Sequence, residues 1–267
     1  MKTWTVSNQK GGVGKTTTVV SLAGLLSKQG KRVVCIDLDP QGSLTSYFRL
    51  DPDTIKKSAY SLFKDSSENR ELDPLKYIRT TSFEYLDILP ASIALATLDR
   101  QASKFKGLGL IISNVLRKLE SSYDYVLIDS PPTLGVLMIN ALAACDHLII
   151  PVQTEFLAIK GLERMIKTLD MVQKTRHHAL EYTIVPTMFD KRTRASIGSL
   201  NSLRNQYRGH LWRGFISVDT QLREASRLGI PGPILTPKSK AVTGYAKLLK
   251  TLVEHKTKLK LVSNDGR

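Results

Sequence analysis

A short β-like run, Thr3 to Ser7, leads through the glycine-rich stretch Lys10 to Thr17 (K-G-G-V-G-K-T-T) into an apolar-periodic run, Val19 to Leu26. Strand, glycine loop, helix: that order leaves a chain few folds to choose from. Glycines let the backbone curl so that successive N–H groups face one anion, with no Cβ in the way. The helix behind adds its unpaired N–H groups and the positive end of its dipole. Gly11, Gly12, Val13, Gly14 and Thr17 therefore read as a phosphate cradle, a P-loop. Within it Lys15 reaches the β- and γ-phosphates, and the Thr16 hydroxyl sits on Mg²⁺. The ordinary spacing wants glycine five residues before Gly14. Gln9 stands there, and a second lysine, Lys10, heads the loop.

Further along, Gly30 closes the first helix and Arg32 to Leu38 (R-V-V-C-I-D-L) reads as a buried parallel strand. It carries Asp37 and Asp39 to its carboxyl end, where open α/β sheets keep their ligands. Two carboxylates there suit a water-held Mg²⁺ and an oriented attacking water; capping of the next helix is the lesser alternative. Tyr123 to Asp129 (Y-D-Y-V-L-I-D) has the form of a Walker B strand, with Asp129 on Mg²⁺ through water. Ser130, Pro131 and Pro132 follow as a stiff loop suited to sensing the γ-phosphate.

The remaining elements are read from periodicity. Strands are expected at Tyr85 to Leu89, Cys145 to Val152 and Glu181 to Pro186, and helices at Thr54 to Phe63, Leu75 to Ile78 and Ile93 to Arg100. After Phe156 a long amphipathic helix places Leu157, Leu162, Met165, Ile166, Leu169 and Met171 on its apolar face. His177 and His178 read as its solvated end. A last helix, Gly244 to about His255, turns Tyr245, Leu248, Leu249 and Leu252 to one side. The expected fold is α/β: a doubly wound, mostly parallel sheet with helices on both faces, a three-layer sandwich. Residues 1–256 are expected to form one P-loop domain and residues 257–267 a basic, disordered tail. Residues 43–106 carry no assignable chemistry.

Charge limits the partners. The chain of 267 residues has a net charge of +15. From Lys191 onward it holds 16 Lys and Arg against 4 Asp and Glu, a net of +12, while the first 190 residues carry only +3. A one-sided excess of this size points to a polyanion, with nucleic acid as the best fit. Arg204 and Arg208 share a helical face by their spacing, as do Arg223 and Arg227. Lys191, Arg192 and Arg194 stand just ahead of them. No apolar run of about 18 residues exists, so no transmembrane segment is expected. The early first strand leaves no room for a signal peptide, and Cys35 and Cys145 read as buried thiols of a cytoplasmic protein.

The loop with its extra lysine resembles the deviant Walker A motif of the ParA/MinD family. D-L-D-P-Q-G-S and Y-V-L-I-D-S-P-P follow in that family's order, so the resemblance runs from Met1 to about Val253. It implies an ATPase that binds ATP and Mg²⁺ and forms an ATP-dependent homodimer. On that resemblance Lys10 crosses to the other subunit's nucleotide, Asp39 positions the hydrolytic water and Asp37 supports the magnesium shell. P-V-Q-T-E-F-L-A-I-K-G is similar to a family segment near the dimer interface. The family also implies a positioning or ATPase-stimulating protein partner, and in stand-alone members a nonspecific DNA surface. The DNA candidates are Arg192, Arg194, Arg223 and Arg227; a second basic position of that surface is neutral near Gln221. I-D-L-D-P-Q-G-S-L-T-S-Y-F and T-E-F-L-A-I-K-G-L-E-R-M look like the ParC branch, which places chemotaxis arrays at cell poles; chromosome or plasmid partition is the sibling reading. The implied location is cytoplasmic, at the nucleoid or a pole. Two other relatives define alternatives: a MinD-like membrane-cycling regulator with a basic C-terminal anchor helix, and a redox protein with a cluster held across the dimer by cysteines.

Overall fold

The computed structural model describes residues 1–68, 72–98, 108–174, 176 and 179–264. The strands are β1 Lys2–Val6, β2 Val33–Asp37, β3 Arg79–Thr80, β4 Leu86–Leu89, β5 Tyr125–Asp129, β6 His147–Gln153 and β7 Glu181–Thr187. They form one sheet in the order β3-β4-β2-β5-β1-β6-β7, parallel throughout except for β3 against β4. Helices cover both faces, as a sheet of apolar strands requires.

The two-residue period of the strands divides the core. β2 sends Val33 and Cys35 to one face and Val34 and Ile36 to the other, and β5 splits Tyr125 and Leu127 from Val126 and Ile128. The first face is covered by α1 (Lys15–Ser27) and by the C-terminal helix, whose Tyr245, Leu248, Leu249 and Leu252 are buried among Trp4, Val19 and Leu22. Tyr245 and Thr18 share a hydrogen bond of 3.0 Å between their hydroxyls, which ties that helix to α1. Opposite lie α3 (Ala59–Ser67), α4 (Ile111–Leu119) and α5 (Val136–Ala144). At the β6–β7 end, α6 (Phe156–Gln173) and α7 (Arg194–Gln206) complete the packing. Register brings Val6 of β1 and Asp37 of β2 level with Asp129 of β5. Three strand ends therefore open onto one place.

Several elements depart from the sequence expectation. The helix expected from Thr54 starts at Ala59, because Ser58 and Ser61 form a capping box while Asp51 holds Asp53 and Thr54 in a turn. Ile93–Thr97 is a 3₁₀ helix with buried Leu98 as its C-cap, and residues 99 and 100 of the helix expected there lie outside the described residues. Cys145 ends α5, and the strand after it begins at His147. Leu157 and Met171 face solvent at 67% and 54% exposure; the buried stripe of α6 is Ala158, Ile159, Leu162, Met165, Thr168 and Leu169. The expected period holds but its phase is too broad, since Ala158 and Thr168 are small enough to go unnoticed. Arg208 lies beyond Gln206, where α7 ends, so it shares no helical face with Arg204. The C-terminal helix, here α10, runs Lys240–Asn264, earlier and further than expected. Between α7 and it lie α8 (Thr220–Leu228) and α9 (Gly232–Leu235). His177 and His178 lie outside the described residues.

One glycine fixes the chain's path beside the strand ends. Gly42 heads α2 (Ser43–Tyr47) with φ +61°, and a Cβ there would lie 2.6 Å from the Pro52 Cβ. Gly42→Ala is expected to cost roughly 1–2 kcal/mol for the left-handed backbone alone, with the Pro52 clash added. Calorimetry should show Tm lowered by several degrees, at about 2–4 °C per kcal/mol for a chain of this size. An unchanged Tm would mean that the Pro52 turn yields freely.

Candidate nucleotide site

The phosphate loop leaves β1 and enters α1 through two left-handed glycines, Gly12 at φ +75° and Gly14 at φ +91°. Nothing lies within 4 Å of a Cβ built on either, so backbone conformation rather than crowding requires glycine. Gly14 is the N-cap of α1 and no side chain caps it, which leaves the first-turn N–H groups for an anion. The loop is fixed from three sides. Thr187 Oγ1 donates to the Val13 carbonyl at 2.9 Å, Asn8 Nδ2 to the Pro151 carbonyl at 2.8 Å, and Gln9 Nε2 to Thr168 Oγ1 at 2.7 Å. Sequence reading missed these anchors, because only the sheet order places β6, β7 and α6 beside the loop.

Asp37, Asp39 and Asp129 converge below the loop, all buried. The Thr16 hydroxyl donates to Asp129 Oδ2 at 2.6 Å. Asp129 Oδ1 is buried with no hydrogen-bond partner. Burial pushes all three carboxyls above the usual range; the Asp37 charge adds to this at Asp129, and the Lys15 ammonium opposes it at Asp39 and Asp129. Three buried carboxylates around one ammonium lack positive charge, and an orphaned carboxylate oxygen beside a threonine hydroxyl is a hard oxygen site. Mg²⁺ fits that donor set. Among the described residues no three His, Cys, Asp or Glu side chains form a closed metal cluster. Mg²⁺ itself usually keeps several waters and is bound through one or two carboxylates and phosphate oxygens. Thr16, Asp37 and Asp129 would hold it, and a bound cation offsets the mutual repulsion of the carboxylates.

Lys10 stands apart from this cluster. Its ammonium pairs with Glu155 of the same chain, the residue that precedes α6. Its stem lies over Gly161, where an added Cβ would come within 3.2 Å of the Lys10 Cβ. Lys15, by contrast, is 8% exposed at the first position of α1 and faces the carboxylates.

The four arginines proposed from charge are not equivalent. Arg192 is 80% exposed but forms a bidentate pair with Asp190, at 2.9 and 2.7 Å. Arg227 pairs with Glu224 on α8. Arg194 and Arg223 are exposed and, among the described residues, have no ion-pair partner. A groove of about 690 Å³ runs between the Arg192 loop and the start of α8, with Lys238 and Lys240 on its wall. Cys35 and Cys145 are free thiols at 0% and 2% exposure, out of reach of any cluster shared with a second chain.

A lysine-bearing phosphate loop at the head of a helix, with magnesium-type carboxylates on the neighbouring strand ends, defines a P-loop nucleotide-hydrolysing protein. Residues 1–182 match the family model described as an AAA domain. The sporulation initiation inhibitor protein Soj of Bacillus subtilis is 35% identical, with 92% of this chain and 95% of that protein aligned. The chromosome partitioning protein ParA of Myxococcus xanthus is 32% identical, over 94% and 88% of the two chains. Cobyrinic acid a,c-diamide synthase from Mycobacterium smegmatis, solved with a bound ATP analogue and magnesium, has the same fold. It matches with a TM-score of 0.82 and 32% identity over 96% of both chains. The chain belongs to the ParA/MinD family, and it is an ATPase that uses ATP with Mg²⁺.

Proposed function

We propose that this protein is a dimerising ATP switch that positions cargo inside the cell, and that nonspecific DNA is the surface it works on. The observation that carries the reading is the placement of Lys10. It flanks the phosphate loop yet is held on Glu155, away from the Lys15 side of its own site. A cation so placed would reach a nucleotide on a second subunit by exchanging Glu155 for its phosphates, a more highly charged partner than the carboxylate it leaves. ATP would then bind between Gly11–Thr17 of one chain and Lys10 of another, which couples closure of the dimer to completion of the site. Bound magnesium neutralises charge on the phosphate oxygens. Asp39 orients the attacking water, and Lys15 and Lys10 stabilise the charge that spreads over the transferring group. Hydrolysis, slow alone and raised by a protein partner, returns the chain to the monomer.

The relatives named for partition and the motif likeness to the ParC branch support two cargo readings, chromosome or plasmid partition and polar placement of chemotaxis arrays. In the last helix, Tyr245, Leu248 and Leu249 pack into the core, which takes those residues out of any membrane-facing surface. No helix among the described residues is long and apolar enough to cross a membrane.

The test is gel filtration with and without ATP and Mg²⁺, followed by binding to random duplex. ATP should move the chain from monomer to dimer, and DNA binding should appear only with the dimer. Salt should weaken it with a log–log slope of about −0.9 per phosphate contacted. Because Arg192 and Arg227 are already paired, Arg194→Glu with Arg223→Glu should weaken binding more than Arg192→Glu with Arg227→Glu. Hydrolysis without DNA should survive in both. A chain that stays monomeric with ATP removes the switch. Dimers that ignore DNA at low salt reassign the basic face to a protein partner.

A further inference from the structure

Asp37 has no exposure to solvent, yet its two oxygens accept three hydrogen bonds. Oδ1 accepts from the Asp39 backbone N–H at 3.1 Å. Oδ2 accepts twice from one residue, Thr45: from its backbone N–H at 2.8 Å and from its hydroxyl at 2.7 Å. The same hydroxyl oxygen accepts from the Ala91 N–H at 2.8 Å, in the chain just beyond β4. Thr45 is itself fully buried. Its hydroxyl therefore has one proton and one direction for it. Ala91 donates from one side, so the hydroxyl must donate to Asp37 on the other.

This bond is built, not incidental. The turn from Asp39 to Gly42 folds back to bring α2 over the end of β2, with the Gly42 N–H on the Asp39 carbonyl at 2.8 Å and the Gln41 N–H on Asp39 Oδ1 at 3.0 Å. Thr45 thereby meets Asp37, eight residues earlier in the chain. Asp37 in turn holds the N–H of Asp39, so the orientation of one carboxylate sets the position of the other. We infer that Thr45 is the positioning residue for the magnesium site, fixing Asp37 directly and Asp39 through it. The inference rests on Asp37 belonging to the magnesium shell, as proposed above. Partners of this outer kind orient the groups that hold a metal, and removing one typically lowers metal affinity about 10–100-fold.

The experiment measures affinity for a fluorescent ATP analogue, on the full chain, in EDTA and in Mg²⁺. Thr45→Val replaces the hydroxyl by a methyl of similar size. It should leave affinity in EDTA within about twofold and cut the gain due to Mg²⁺ by roughly tenfold. Thr45→Ser keeps the hydroxyl and should stay within about twofold of the parent in both conditions. Equal losses with and without Mg²⁺ in Thr45→Val would assign Thr45 to loop packing and overturn the inference, as would an undiminished gain. If the valine variant does not fold, Thr45→Ser decides: a roughly tenfold smaller Mg²⁺ gain there would show that the methyl, not the hydroxyl, matters. Asp37→Asn separates the two readings. A full Mg²⁺ gain in that variant removes Asp37 from the shell, whereas loss in Asp37→Asn with none in Thr45→Val removes Thr45 alone.

Discussion

Lys15→Ala is expected to weaken ATP binding by about 10²- to 10⁴-fold. That is the loss of two charge-assisted hydrogen bonds at about 1.5–3 kcal/mol each. Lys15 is nearly buried at the first position of α1, facing Asp39 and Asp129, and no other cation occupies that side of the loop among the described residues. Lys10→Ala should behave differently. Its ammonium lies on Glu155 in the isolated chain, so ATP affinity of the monomer should stay within about threefold while dimerisation and hydrolysis fall together. Affinity of the monomeric chain is read by titration at low protein concentration, and dimerisation by gel filtration with ATP. Equal losses of affinity in the two variants would place both lysines on the same nucleotide and end the case for a crossing lysine.

The second large effect belongs to Asp39. Asp39→Ala should bind ATP, accumulate as a dimer and hydrolyse at least about 10²-fold more slowly, the usual contribution of a group that positions and deprotonates water. Asp39 also has a local duty, since its Oδ1 accepts the Gln41 N–H at 3.0 Å. Asp39→Asn keeps that bond and removes the charge, so it separates the two roles. If both variants trap the dimer, the carboxylate acts on water. If only the alanine variant loses activity, Asp39 serves the turn. A monomeric Asp39→Ala protein in ATP would likewise make it a structural residue.

The basic face shows how charge counting and structure divide the work. A net of +12 from Lys191 onward is a property of composition, and it stands wherever the side chains point. Which arginines remain available does not follow from it. Arg192 is two residues from Asp190 and Arg227 three from Glu224, and both acids take their guanidinium in the folded chain. Short spacing permits such pairs without requiring them, so only the loop and helix geometry decides.

The phosphate loop was legible from residue order because its chemistry is local. Glycine at Gly12 and Gly14, lysine at Lys15 and a strand and helix on either side are set by backbone conformation within a few residues. The runs ending at Asp37 and Asp129 were legible for a similar reason: an apolar strand that stops on a carboxylate marks its own end. What the sequence could not carry was the set of contacts across the sheet. Glu155 meets Lys10 from 145 residues away, Thr187 meets Val13 from 174, and Thr45 bonds Asp37 only because the Gly42 turn folds back over β2. The same limit let Leu157 and Met171 pass as core, since helical period gives the apolar stripe but not its edges. Local backbone preference determined the cradle and the strand ends. The order β2-β5-β1-β6-β7, fixed by burying both faces of a parallel sheet, decided which distant side chains would hold that cradle in place.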